Sequence, residues 1–374
     1  MKVVSGMFLL AATLLAGCSG LQPPSTTLGV QQTAGKVSEH NLSCREHRVG
    51  YVGCLVIAAS GAGGRDTAGW SPQQLESAYN LQASSKKRGT GQIVAVIEAY
   101  DNPNVASDLG AYRSAYNLPV GSFTKYNEEG QTSNYPQGSP GWGVEIDLDV
   151  EMVAASCPNC TIYLVEANSS SIADIEAATA EAVTLGAHIV SAIGSGQGFD
   201  KKYFDTPGVE YLASPGDAEG LTEPADFDSV VAVDGTMLQQ VNSGKRKWSE
   251  SLTADTNDGG CFNAIPKPAW QHDSYCNYRL ANDAAADSYD LAVYDSYDEN
   301  GWVSVTGEQA APFLAGVFGL AENASKQRGG RTLWQPSHQK HLYPILEGSQ
   351  SCAYSSGNYN TCAGWGSPNG IGAF

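Results

Sequence analysis

The chain has 374 residues, 39 of them acidic and 21 basic, for a formal net charge of −18 at pH 7, and only 16% of its side chains are charged. An acid excess of this size argues against nucleic acid or an anionic lipid surface as partner, since both are held by clustered Lys and Arg. The length allows a large core, as two domains or as a single big α/β unit.

The first residues, MKVVSGMFLLAATLLAGCSG, give a short basic start and an apolar run from Met7 to Gly17 that is too short for an ordinary membrane-spanning helix. Residues 1–17 are therefore read as a signal to be removed. Leu15-Ala16-Gly17-Cys18 resembles a bacterial lipobox, which implies cleavage before Cys18 and acylation of its thiol. The expectation is a lipid-anchored protein of the bacterial cell envelope; in Gram-negative sorting, Ser19 implies the outer membrane or cell surface. The alternative is a plain secretory signal.

Residues 18–43 are polar, contain prolines and show no period, as a flexible tether would. Residues 44–70 read as a small disulfide-stapled segment, and 71–374 as one peptidase-type domain. Of the nine cysteines, removing Cys18 leaves eight, an even number in an exported chain. They fall into local pairs: Cys44 with Cys54, Cys157 with Cys160, Cys261 with Cys276, and Cys352 with Cys362. CPNC could also be a redox or zinc half-site, but no second half with matching spacing exists, which favours a stapled turn.

From GQIVAVIEAYDNP onward, apolar strands alternate with helical segments: TIYLVEA, then SIADIEAATAEAVTLGA closed by Gly186, then HIVSAI, VEYLAS and SVVAVDG. This βαβ rhythm predicts an α/β fold, a parallel sheet covered by helices. Between the first two strands, GWGVEIDLDVEMVAASCPNC places Ile146, Val150 and Val153 in an apolar stripe, with Glu145 and Asp149 one helical turn apart. At i and i+4 both carboxylates project from one face and repel, so the pair is either a solvated face or a site that uses them.

Taken in order, VAVIEAYDNPNVASDLGAYRSAYNLP, EIDLDVEMVAASCPNCTIYLVEA, ASPGDAEG, VVAVDGTML and GWVSVTGEQAAPFLAGV resemble the sedolisin family of serine-carboxyl peptidases, over roughly Ser71 to the C-terminus. The resemblance implies a subtilisin-like fold: a parallel sheet with helices on both faces, in a single catalytic-type domain. It implies that Glu145 matches the general base, Asp149 the acid that orients it, and Asp217 the oxyanion aspartate, with Pro215 where the family usually has serine. Counting back from Pro312 puts the nucleophile at Glu308, so Thr306-Gly307-Glu308 stands in place of Gly-Thr-Ser.

Loss of the serine from a comparable triad costs about 10⁶-fold in kcat. Ser191, Ser195, Ser214 and Ser304 are poor substitutes because each belongs to a segment with another role in the match, and no histidine sits in a Gly-His turn. Locally, Thr306 and Gln309 have capping-box spacing, and an acidic residue suits a first helical turn. If Glu308 points inward it joins Glu145, Asp149 and Asp217, and at least one of the four carboxyls must titrate well above its ordinary value.

The family's calcium site is expected to be lost, since Pro344 stands where its first aspartate should be and Glu347 with a few carbonyls is a poor oxygen set; no metal and no cofactor are implied. The leader is also too short for the large folded propeptide of most sedolisins. The leading expectation is a pseudopeptidase that binds a peptide or protein at the old cleft. The alternatives are an acid endopeptidase in which Glu308 with Glu145 or Asp149 forms a carboxyl pair that activates water at low pH, and a structural envelope lipoprotein.

Overall fold

The computed structural model describes residues 38–43, 50–53, 55–60, 69–194, 196–216, 223–252, 261–307, 310–348, 352 and 355–374. In chain order the first elements are strands β1 (Ser38–Ser43) and β2 (Leu55–Ser60), helices α1 (Pro72–Ala78) and α2 (Gln82–Ser85), strand β3 (Ile93–Ala99), helix α3 (Val105–Ala115), strand β4 (Phe123–Asn127) and helix α4 (Gly143–Ser156). Strand β5 (Thr161–Ala167), helix α5 (Ile172–Thr184), β6 (Ile189–Ala192), β7 (Glu210–Ala213) and β8 (Val230–Gln240) follow. After them come β9 (Trp248–Ser251), β10 (Cys261–Pro266), β11 (Tyr278–Leu280), β12 (Ala284–Asp287), β13 (Leu291–Asp295), β14 (Gly301–Gly307) and helix α6 (Ala311–Ala321). None of the helices among the described residues is long and apolar enough to cross a membrane.

The central sheet has the order β12-β8-β7-β6-β3-β5-β4, with every pair parallel, and β9 adds antiparallel to β8. Residues Val94 to Ala99 of β3 are all buried, so both faces of the sheet are covered there, as parallel strands require. This is the helix-covered parallel sheet that the βαβ rhythm predicts, and the subtilisin-like α/β fold that the family resemblance implies. A second, antiparallel sheet of order β1-β2-β14-β13 flanks it, so residues ahead of Ser71 pair with the strand that leads to position 308.

Local chemistry sets the element ends. The Ser71 hydroxyl accepts from the Gln74 N–H at 3.4 Å while the Gln74 side-chain oxygen accepts from the Ser71 N–H at 3.0 Å, a reciprocal capping box that starts α1. Ser171 caps α5 by accepting from the Asp174 N–H at 3.2 Å, and Gly186 ends the segment at φ 96°. Disulfides join Cys157–Cys160, Cys261–Cys276 and Cys352–Cys362. The expected Cys44–Cys54 bridge lies outside the described residues, as do the signal segment, Cys18 and most of the tether.

Helices α4 and α6 pack together because α6 has glycines where it crosses its neighbours. A Cβ on Gly316 would lie 1.9 Å from Ser156 Oγ and 3.1 Å from the Val153 carbonyl, and one on Gly319 would lie 2.6 Å from Cys160 Sγ. Gly316→Val should therefore destabilise the fold by about 1–3 kcal/mol through overpacking. Thermal denaturation is the check; an unchanged Tm would contradict so close a helix contact.

Candidate active site

Helix α4 carries Glu145, Asp147, Asp149 and Glu151, and all fourteen of its residues are buried. The structure excludes the solvated-face reading of Glu145 and Asp149, which are 0% and 1% exposed. The helix is enclosed by α1, α3, α6, β13 and the sheet strands β3 and β5. Its N-terminus is held from two sides. Asp298 Oδ2 accepts from the Gly141 N–H at 2.8 Å and the Val144 N–H at 3.3 Å, and Asn102 Nδ2 donates to the Gly143 carbonyl at 3.1 Å.

On one side of α4, Asp149 meets Glu98 near the carboxyl end of β3. No donor from elsewhere reaches either Glu98 oxygen, so their hydrogen bond requires a proton on one of the two carboxyls. Burial raises Glu98 well above the ordinary carboxyl range, and the nearby charges of Asp149 and Glu145 add to the rise. Burial also pushes Asp149 up, to about 7, although its bond from Glu98 pulls it down. The proton therefore resides on Glu98 and Asp149 accepts it. The direct partner of Asp149 is thus a residue outside the four aligned acids.

Glu166, register partner of Glu98 on β5, extends the cluster. Burial raises it to about 9, while Lys125, with Nζ at 3.5 Å, draws it back. Lys125 also pairs with Asp101 and donates to the Asn102 carbonyl at 3.0 Å. The carboxyl ends of β3 and β5 thus form an acidic floor with a cation at its far edge.

The opposite side of α4 has its own carboxyl pair. Asp147 is raised well above its ordinary value by burial and by the charges of Glu151 and Asp295, and it donates its proton to Asp295. Asp295 is raised by burial and eased down by that bond and by the backbone N–H groups of Glu299 and Asp298, each 2.6 Å away. Glu151 accepts from the Tyr294 N–H at 3.0 Å and is raised by burial, with Asp108 and Asp295 nearby.

Glu308 and Asp217 lie outside the described residues, so the structure brings together Glu145 and Asp149 of the four aligned acids. The strand and helix that flank position 308 are both present: β14 ends at Gly307 and α6 begins at Ala311 with Pro312 in its first turn. The capping-box expectation is corrected. The N-cap is Ala310, which makes no side-chain cap, and Thr306 Oγ1 instead accepts from the Asp290 N–H at 3.2 Å. Position 308 therefore precedes the helix rather than occupying its first turn.

The other candidate nucleophiles are placed elsewhere. The Ser304 hydroxyl donates to Asp290, Ser191 is buried in β6, and Ser195 lies outside the described residues. His188, expected to begin a buried strand, is exposed just before β6.

Near the C-terminus, Asn360 Nδ2 donates to the Ile345 carbonyl, and Asn360 Oδ1 accepts from the N–H groups of Cys362 at 2.9 Å and Ala363 at 2.7 Å. Glu347 is exposed. Pro344, where the family's first aspartate is expected, brings no carboxylate to this turn. Among the described residues no three acidic, His or Cys side chains converge as a metal site.

Sequence reasoning missed Glu98, Glu166 and the Asp147–Asp295 pair. The signal for the first two was available: in IVAVIEA and TIYLVEA a single carboxylate interrupts an apolar strand at its next-to-last residue. Asp295 carried no comparable signal, since its link to Asp147 spans nearly half the chain.

Neither a family model nor any curated protein matches the sequence. Solved structures do. Pseudomonas sedolisin, a serine-carboxyl proteinase complexed with two molecules of pseudo-iodotyrostatin, is similar over 81% of this chain and 96% of its own, with a TM-score of 0.67 at 19% identity. Fervidolysin from Fervidobacterium pennivorans, a keratinolytic enzyme related to subtilisin, is similar over 80% of this chain and 44% of its own, with a TM-score of 0.51 at 14% identity. These likenesses establish the peptidase-type fold.

Glu98, Asp147, Asp149, Glu151, Glu166 and Asp295 each have a folded value raised above the unfolded one. Their contribution to stability is full below the unfolded values and is lost as pH rises through the folded ones, from 3.8 to about 7 for Asp149. Thermal melts should show Tm rising between pH 7 and pH 4, with a shallower slope in Asp147→Asn. A Tm that is flat or falls on acidification would contradict the buried, protonated acids.

Proposed function

We propose that the protein is a pseudopeptidase of sedolisin lineage, which binds an extended peptide or a protein segment at the former catalytic cleft. Two observations together carry this reading: a glutamate at position 308 of the sequence, between the end of β14 and the start of α6, and a buried Glu145–Asp149–Glu98 system. The base side of the machinery persists while the attacking hydroxyl is replaced. Asp217 is assigned the old oxyanion position by the same sequence match. A leader ending at Cys18 would tether the domain to the bacterial envelope through lipid, and the net charge of −18 disfavours a nucleic-acid role. The same sequence match puts Pro344 where the family's first calcium-binding aspartate stands, so no cofactor enters the proposal.

One observation favours a second reading. Glu98 and Asp149 share a proton, and a proton-sharing carboxyl pair can activate water in acid. In this chain the pair is enclosed, with Glu98 at 0% and Asp149 at 1% exposure, which denies water the access such chemistry needs.

Assays of the purified full chain on denatured protein substrates, from about pH 3 to 6, distinguish the two readings. We expect no turnover above background, and we expect Glu308→Ser, alone or with Thr306→Gly and Gly307→Thr, to raise the rate by orders of magnitude, since loss of such a serine costs about 10⁶-fold. Robust turnover by the unmodified chain that Glu308→Gln abolishes would overturn the pseudopeptidase reading.

A further inference from the structure

Between the leader and α1, the chain passes through the carboxyl end of the central sheet, the end at which open α/β sheets bind ligands. Residues 50–53 run antiparallel to the segment that follows β5. The Val52 N–H donates to the Ser170 carbonyl at 2.8 Å, the Ile172 N–H donates to the Gly50 carbonyl at 2.9 Å, and Tyr51 bridges Ser171 between them. On their other side lies the segment after β6. A Cβ on Gly194 would meet Val52 Cβ and the Gly53 carbonyl at 3.0 Å each, and one on Gly196 would meet the Tyr51 carbonyl at 3.5 Å.

Beyond Gly53 the chain continues as β2, whose register with β14 runs up to the pair Val56–Gly307, the last described residue before position 308. One extended segment is thus held first between the loops after β5 and β6, then beside the strand that leads to the former nucleophile. Its backbone supplies the hydrogen bonds, as in peptide recognition by strand addition. Its side chains supply fit: Val52, Val56 and Ala58 are 0% exposed, and Val52 and Val56 belong to the main core.

We propose that this cleft is an extended-peptide site occupied by the chain's own segment Gly50–Ser60, so that the protein is self-liganded and an outside peptide binds only by displacing the strap. The proposal rests on reading the cleft as a peptide site. It names the class of ligand, an unbranched backbone with a small β-branched residue between small neighbours, as in Tyr51-Val52-Gly53. Gly194 sets that preference, because its missing side chain admits Val52, and its φ of 71° disfavours any replacement. A strap threaded in this way survives if position 308, a glutamate in the sequence, supplies no attacking hydroxyl.

The test uses the full chain and a fluorescein-labelled synthetic peptide with the sequence of residues 48–60, Ser replacing Cys54. In the unmodified chain the Val52 and Ile172 amides should exchange at least a hundredfold more slowly than in an unstructured peptide, and the labelled peptide should bind weakly. Val52→Asp, which places a charge in a closed apolar pocket, should expel the strap and tighten peptide binding at least tenfold.

Two results would each overturn the proposal: free exchange at both amides in the unmodified chain, or a folded Val52→Asp protein that binds the peptide no better than its parent. If that variant does not fold, exchange in the unmodified chain decides. None of these readouts is turnover. Peptidase activity by the unmodified chain would therefore end the pseudopeptidase reading and leave the strap standing as an inhibitor, whereas loss of the strap leaves the assignment of Glu308 untouched.

Discussion

The burial of carboxyl groups along α4, away from any neutralising cation, is the constraint on which the rest of the molecule depends. Four acids lie within seven residues of an enclosed helix, and the neighbouring strands add Glu98, Glu166 and Asp295. Isolated carboxylates in such surroundings are prohibitive, so the groups hold protons and bond to one another. Two proton-sharing pairs result, Glu98–Asp149 on one side of the helix and Asp147–Asp295 on the other. The helix is thereby bound to β3 on one flank and to the end of β13 on the other, and the glycine-faced α6 closes over it.

This acid framework does not itself need a working nucleophile. Its hydrogen bonds fix α4 whatever residue stands at position 308. The same framework brings β3, β5 and β6 to a common edge, and at that edge the backbone of residues 50–53 finds its partners. Under the reading proposed above, that edge holds an extended backbone from the same chain.

The sequence reveals the architecture because the periodicities are strong. TIYLVEA, the Ser171-capped helix and HIVSAI each fall within a residue or so of their observed ends. The i and i+4 spacing of Glu145 and Asp149 likewise identifies a special helix. What it does not reveal is everything settled between distant segments. Asp147 reads as one more polar residue until Asp295 is placed against it, and Thr306 reads as a cap until the Asp290 N–H claims its hydroxyl. The segment Gly50–Ser60 reads only as part of a small stapled stretch ahead of the domain, because its pairing with β14 joins residues about 250 positions apart, a separation beyond the reach of local pattern.

Asn360 spans its turn with a side-chain amide, donating to the Ile345 carbonyl and accepting from the N–H groups of Cys362 and Ala363. An amide is part of the covalent chain, whereas an ion at equilibrium with its surroundings comes and goes. A turn closed in this way keeps its shape in chelating or ion-poor surroundings, and protonation does not release it at the low pH that the acid-rich interior favours. The C-terminal region and α4 are therefore suited to the same acidic conditions by opposite means, one by lacking a titratable group at its crosslink and the other by depending on several.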